Sequence, residues 1–254
     1  MQTRQWTSPG TGGRIKAETH YKKEVFCMDY RRTDPEFAER MEYFARTEVA
    51  ADPDCAMDPV TRSLAVLATL VGCQGVQVFQ LTLPEALDSG LTPVMARELV
   101  YQAVDYLGLG RVLPFLDALN EVLTARGVEL PLPDQATTTL EDRLEKGVDA
   151  QAAIFGEGMR EVWRQGTINR WLGANCFGDY YTRTGLDLRQ RELITFCFLA
   201  AQGGCEPQLT AHAKGNMNMG NDAELLTKVV LNCVPYIGYP RSLNAITCIK
   251  NAQN

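Results

Sequence analysis

The two halves of this 254-residue chain repeat one another at a spacing of 130 residues. Gly90 recurs as Gly220, Val100 as Val230, Val104 as Val234, Tyr106 as Tyr236, Gly108 as Gly238, Arg111 as Arg241 and Leu113 as Leu243. Arg62 recurs as Arg191 with a one-residue slip. Solenoid repeats have periods of roughly 20–50 residues, so a period this long means that a whole domain was duplicated. The fold must therefore be one that can be built twice and packed against itself.

The local signals are helical. Asp34-Pro35 and Asp58-Pro59 each place a capping acid before a proline, which is tolerated in the first helical turn because its missing N–H is an orphan there anyway. Phe37, Met41, Phe44 and Ala45 form one apolar stripe, and Leu64, Leu67, Ala68 and Val71 another. Further helices are expected across 76–89, 93–105 and 111–125 in the first half. The second half offers 140–156, 157–165, 168–182, 189–201, 205–219, 223–234 and a last helix from about Arg241. Strand signals are scarce. The reading is an all-α chain with an N-terminal arm over 1–30, a first copy over 31–126, a Pro-containing linker over 127–139 and a second copy over 140–254.

Composition removes several functional classes. A net charge of −6 argues against nucleic acid as a partner, because phosphate backbones call for basic patches. No apolar run approaches eighteen residues, so no membrane span is expected. The polar stretch up to Lys23 lacks the apolar core of a secretory signal, and none of the eight cysteines forms a Cys-x-x-Cys pair; both fit reduced thiols in the cytoplasm. The two histidines, His20 and His212, are far apart with no cluster of ligand spacing, so no metal site is expected. His20 belongs to the arm and reads as solvated.

The second copy carries a chemically capable set. Cys205, Gln208 and His212 stand at i, i+3 and i+7 of one helix, and Glu192 lies one helix earlier. A thiol at a helix N-terminus, an imidazole and a carboxylate to orient it could move protons or attack an electrophile. The first copy has Gly75, Val78 and Thr82 in place of Cys205, Gln208 and His212, and Ser63 in place of Glu192. It also has Pro84 inside the equivalent helix, expected to kink or shorten it. Any active site therefore belongs to the second copy. Tyr236 and Arg241 read as architecture, because Tyr106 and Arg111 persist where the polar set is gone. Asn244 stands where the first copy has Pro114 and joins Gln208 as a candidate substrate-binding residue.

Three motifs carry a family resemblance: Arg191-Glu192-Leu193-Ile194, then Gly-Gly-Cys-x-x-Gln-Leu-x-x-His over 203–212, then Pro-Tyr-Ile-Gly-Tyr-Pro-Arg-x-Leu-Asn over 235–244. With Gly220 between the last two, the chain resembles the carboxymuconolactone decarboxylase family, which includes the alkyl hydroperoxidase D-like proteins. The resemblance implies a helical domain in two copies, and a trimer whose six domains mimic a sixfold ring. It implies a lyase that needs no cofactor and acts on a small carboxylated or lactone-type substrate. His212 would transfer the proton, Glu192 would orient it, and Cys205 and Gln208 would line the pocket. The peroxidase branch of the family carries a second cysteine where this chain has Gln208, so a thiol-dependent peroxidase built on Cys205 would need a resolving thiol from elsewhere, such as Cys176. A non-catalytic oligomer that kept the pocket for a small ligand is the third reading.

Overall fold

The structure is a computed structural model and describes residues 30–254. His20, Cys27 and nearly all of the expected arm lie outside the described residues. Contacts divide the chain into a unit ending at Arg40 and a unit over Met41–Asn254. The first contains α1 (Tyr30–Thr33) and most of α2 (Pro35–Glu42). The second begins with a π-helix over Tyr43–Glu48, α3 (Val49–Ala51) and a 3₁₀ turn over Pro53–Cys55.

The repeated bodies follow. The first consists of α4 (Pro59–Gly72), α5 (Val76–Asp88), α6 (Pro93–Leu107) and α7 (Leu109–Ala125). After a helix-free stretch come α8 (Arg143–Phe155), a 3₁₀ helix over Glu157–Gln165, α9 (Thr167–Trp171) and a π-helix over Leu172–Tyr181. Then α10 (Leu188–Gln202) answers α4, α11 (Glu206–Asn218) answers α5, and α12 (Ala223–Ala252) answers α6 and α7 together. No strand occurs among the described residues, so the chain is all-α with a tandem helical duplication.

Side-chain caps set several of these boundaries. Asp58 accepts from Thr61 N, Asp222 accepts from Leu225 N, and Asp187 and Gln190 form a reciprocal capping box on α10. Gly108 separates α6 from α7 at φ 81°, and Gly238 bends α12 at φ 72°. Both lie in the left-handed region that a Cβ disfavours, so the glycines recurring at these two positions hold equivalent corners. Pro84 does not shorten α5, which continues to Asp88. Leu83 and Ala86 on either side of it are buried and hold the turn in place.

At the centre, α4 packs on α10. Every residue from Leu64 to Gly72 is buried, and so is every residue from Arg191 to Ala201. Helices covered on all sides belong in the interior rather than on a surface layer. A Cβ on Gly72 would lie 2.7 Å from the Ala201 Cβ, so the two helices approach almost backbone to backbone. One hydrophobic cluster includes Leu67, Leu99 and Phe115 from the first copy and Phe196, Phe198 and Leu226 from the second. The linker is tied down by Arg97 on α6, which donates to the carbonyls of Leu132 and Pro133. No helix among the described residues is long and apolar enough to cross a membrane.

Candidate active site

Glu192 lies in the first half of α10 and its side chain is fully buried. His212 sits in the middle of α11, with its side chain 12% exposed. These helices run antiparallel, and Asn216 clamps them by donating to the carbonyls of both Glu192 and His212. The imidazole Nδ1 then faces both carboxylate oxygens, at 3.2 Å and 3.0 Å. The carboxylate accepts from Nδ1–H, which leaves the basic lone pair on Nε2. Nε2 has no protein partner among the described residues. Gly215 makes this approach possible, because a Cβ there would lie 2.6 Å from Glu192 Oε2 and 2.9 Å from both Ile154 and Phe155.

Aromatic rings enclose the imidazole. Tyr106 and Phe155 meet it edge to face, with centroids at 5.5 Å and 5.3 Å. Behind the carboxylate runs a line of hydroxyls. Tyr181 donates to Glu192 Oε1 at 2.9 Å, the Tyr106 hydroxyl lies 2.7 Å from that of Tyr181, and the Cys176 thiol donates to Tyr106 at 3.7 Å. Thr195 also bonds the Tyr181 hydroxyl, at 2.7 Å. Since Tyr181 gives its one proton to Glu192, Tyr106 and Thr195 donate to Tyr181, and every donor in the line points towards the carboxylate. Burial holds the Tyr106, Tyr181 and Cys176 groups well above their ordinary pKa, so they remain protonated donors. At the far end, burial pushes the Asp105 carboxyl up to about 7, with Asp179 adding repulsion and the neighbouring Cys176 thiol opposing the rise.

The structure brings Glu192 and His212 together and sets the other expected residues apart. Cys205 is the residue just before α11, seven positions from His212, or about 10 Å along the helix axis. Its thiol donates to Leu199 O at 3.5 Å and accepts from Gln202 Nε2 at 3.6 Å. Although the thiol stands at a helix N-terminus, which by itself lowers a thiol pKa, burial raises it, the Glu206 charge adds to the rise, and only the Gln202 bond opposes it. Gln208 is solvent-exposed. Asn244 donates to Glu206 at 3.4 Å and borders a small crevice with Cys205, Leu209 and Arg241, at the far end of α11 from the imidazole. Among the described residues no group of three His, Cys, Asp or Glu side chains could hold a metal ion.

The contributors not foreseen include Tyr106, Tyr181 and Phe155. Tyr106 had a readable signal. It persists in the copy without the polar set, and in the structure it packs on the other copy's imidazole. The pseudosymmetric Tyr236 likewise lines a cavity with the first copy's Ser63 and Thr82. Phe155 lies on α8, whose counterpart positions fall outside the described residues, so the repeat does not point to it.

Residues 35–121 and 167–251 each match the carboxymuconolactone decarboxylase family, and residues 122–166, including α8, fall outside both matches. The 4-carboxymuconolactone decarboxylase of Acinetobacter baylyi is 27% identical over 108 residues, covering 40% of this chain and 80% of that enzyme. Two matched regions, a helical body built twice and an acid–imidazole pair in the later copy lead to one conclusion: the chain belongs to the carboxymuconolactone decarboxylase family, in a two-copy form.

Proposed function

We propose that this chain is an enzyme that decarboxylates a small carboxylated lactone or enol-type substrate at His212. The observation that carries the reading is the Glu192 carboxylate on Nδ1, which leaves Nε2, without a protein partner among the described residues, as the ring atom free to exchange a proton with a substrate. When the substrate's carboxylate leaves as CO₂, the C–C bonding pair passes into the conjugated carbonyl as an enolate. Protonated Nε2 then delivers its proton to carbon, and the neutral imidazole regains one from solvent. Glu192 stabilises the imidazolium and fixes the ring, while Tyr181 and Tyr106 hold Glu192 by donating towards it. This chemistry asks for no cofactor.

The thiol-peroxidase reading finds less support. The Cys205 thiol is protonated and bonded to a carbonyl, and Gln208 stands where a partner thiol would be needed. The seven cysteines among the described residues are all free, which suits a reducing cytoplasm. We also propose a trimer as the working assembly.

The test is CO₂ release from 4-carboxymuconolactone by three variants. His212→Gln and Glu192→Gln should each lose about 10²-fold or more, the usual contribution of a positioned acid–base group. Cys205→Ser should keep activity near wild type. Full activity in His212→Gln, or loss confined to Cys205→Ser together with peroxide consumption by the wild type, would overturn the assignment.

A further inference from the structure

The first copy's counterpart of the active site is an open cavity of about 270 Å³. Ser63 and Thr82 line it where the second copy has Glu192 and His212, and Tyr236 borders it as Tyr106 borders the imidazole. We propose that this cavity is a second, non-catalytic binding site that takes a small organic carboxylate on Arg62.

The charge pattern carries the argument. In the second copy Arg191 donates to Gln102 at 2.8 Å and to the carboxylate of Glu98 at 3.2 Å. The repeat carries the first of these contacts over: Arg62 donates from Nε to Asn232 at 2.9 Å, and Asn232 is the counterpart of Gln102. It does not carry over the second. The counterpart of Glu98 is Lys228, which is paired with Glu224 at 2.8 Å. Arg62 therefore keeps its anchoring amide and has lost its counter-ion. Among the described residues its two terminal nitrogens have no protein partner, and it lines the cavity.

The other charges at the cavity do not replace the missing acid. Glu85 is committed to Arg46 at 2.9 Å. Tyr236 is raised chiefly by burial, with Arg62 and Arg46 opposing the rise and Cys233 and Glu85 adding to it, so its hydroxyl remains a donor. A guanidinium fork with free terminal nitrogens matches a planar carboxylate in a bidentate pair. Ser63, Thr82 and Tyr236 offer hydroxyl donors, and Val66 and Ala86 provide an apolar wall for the body of the ligand. Serine and threonine do not exchange protons near neutrality, so the bound carboxylate is held without being turned over.

Benzoate is the probe, with benzamide as its neutral isostere and inorganic phosphate as the competing anion. Titration calorimetry on the full chain counts the sites. One benzoate site per protomer should vanish in Arg62→Gln, whose shorter amide can still reach towards Asn232 but carries no charge. The same site should vanish in Thr82→Leu, which fills the cavity and leaves the Arg62–Asn232 bond untouched, so a folding defect in the first variant does not decide the matter. It should survive in His212→Gln even as CO₂ release is lost, which separates this proposal from the decarboxylase reading. Benzamide should bind at least about tenfold more weakly than benzoate, because the bidentate charge-assisted pair is gone. A benzoate stoichiometry unchanged in both Arg62→Gln and Thr82→Leu, equal affinity for benzamide, or tighter binding of phosphate would overturn it.

Discussion

Asp105 is a carboxyl whose surroundings favour its neutral form. Burial is the main cause, and the nearby Asp179 adds to it. The Cys176 thiol acts against the rise, and Oδ2 has no partner among the described residues. With a folded value of about 7, the native protein keeps a proton that the unfolded chain releases near pH 4. The unfolded state then binds fewer protons between those values, so stability falls as pH rises through that window and levels off above it. Three pKa units correspond to roughly 4 kcal/mol. Asp105→Asn keeps the shape of the side chain and removes the charge. It should raise Tm by several degrees at about pH 8 and hardly at all at about pH 3.5, below both pKa values. An equal gain at both values in a thermal melt would show that the effect is packing, not ionisation.

At the scale of helices, one acid on α6 holds the two copies together electrostatically. Glu98 is fully buried and accepts from Arg183 at 2.8 Å and 3.1 Å and from Arg191 at 3.2 Å, with Arg97 at 3.5 Å. Breaking such a cluster from one side strands buried cations, which costs about 3–5 kcal/mol. Glu98→Gln should therefore lower Tm by on the order of 10 °C, read by calorimetry; a shift of about 2 °C or less would mean that the guanidiniums find water instead. Helix boundaries were legible because caps and prolines are local: Asp58-Pro59, Asp187 and Asp222 act within one turn of themselves. The acid–imidazole pair was legible because the duplication supplied its own control, with Ser63 and Thr82 in the copy that lost it. The thiol's surroundings were not legible because its hydrogen bonds go to Leu199 and Gln202, the end of the preceding helix, and spacing within α11 does not reveal that. Phe155 was invisible because only packing puts it on His212.

On the whole molecule, duplication also copies what stays uncovered. Leu109 is 59% exposed and its counterpart Tyr239 65%, while Leu113 is 46% exposed and its counterpart Leu243 66%. Each pair is spaced by four along its helix, so each copy presents a two-residue apolar strip just past the Gly108 or Gly238 corner. Isolated exposed apolar residues mean little, but the same strip at two pseudosymmetric places is what a closed ring needs, since every domain must offer equivalent contacts to its neighbours. Three protomers would supply six such strips. Leu113→Glu combined with Leu243→Glu places a charge in every one of them, far from Glu192 and His212 in sequence. Light scattering coupled to gel filtration should give three times the 28.2 kDa chain mass for the wild type and a single chain mass for the double variant. A wild-type protein that runs as a monomer, or a double variant still trimeric, would place the assembly contacts elsewhere or remove them altogether.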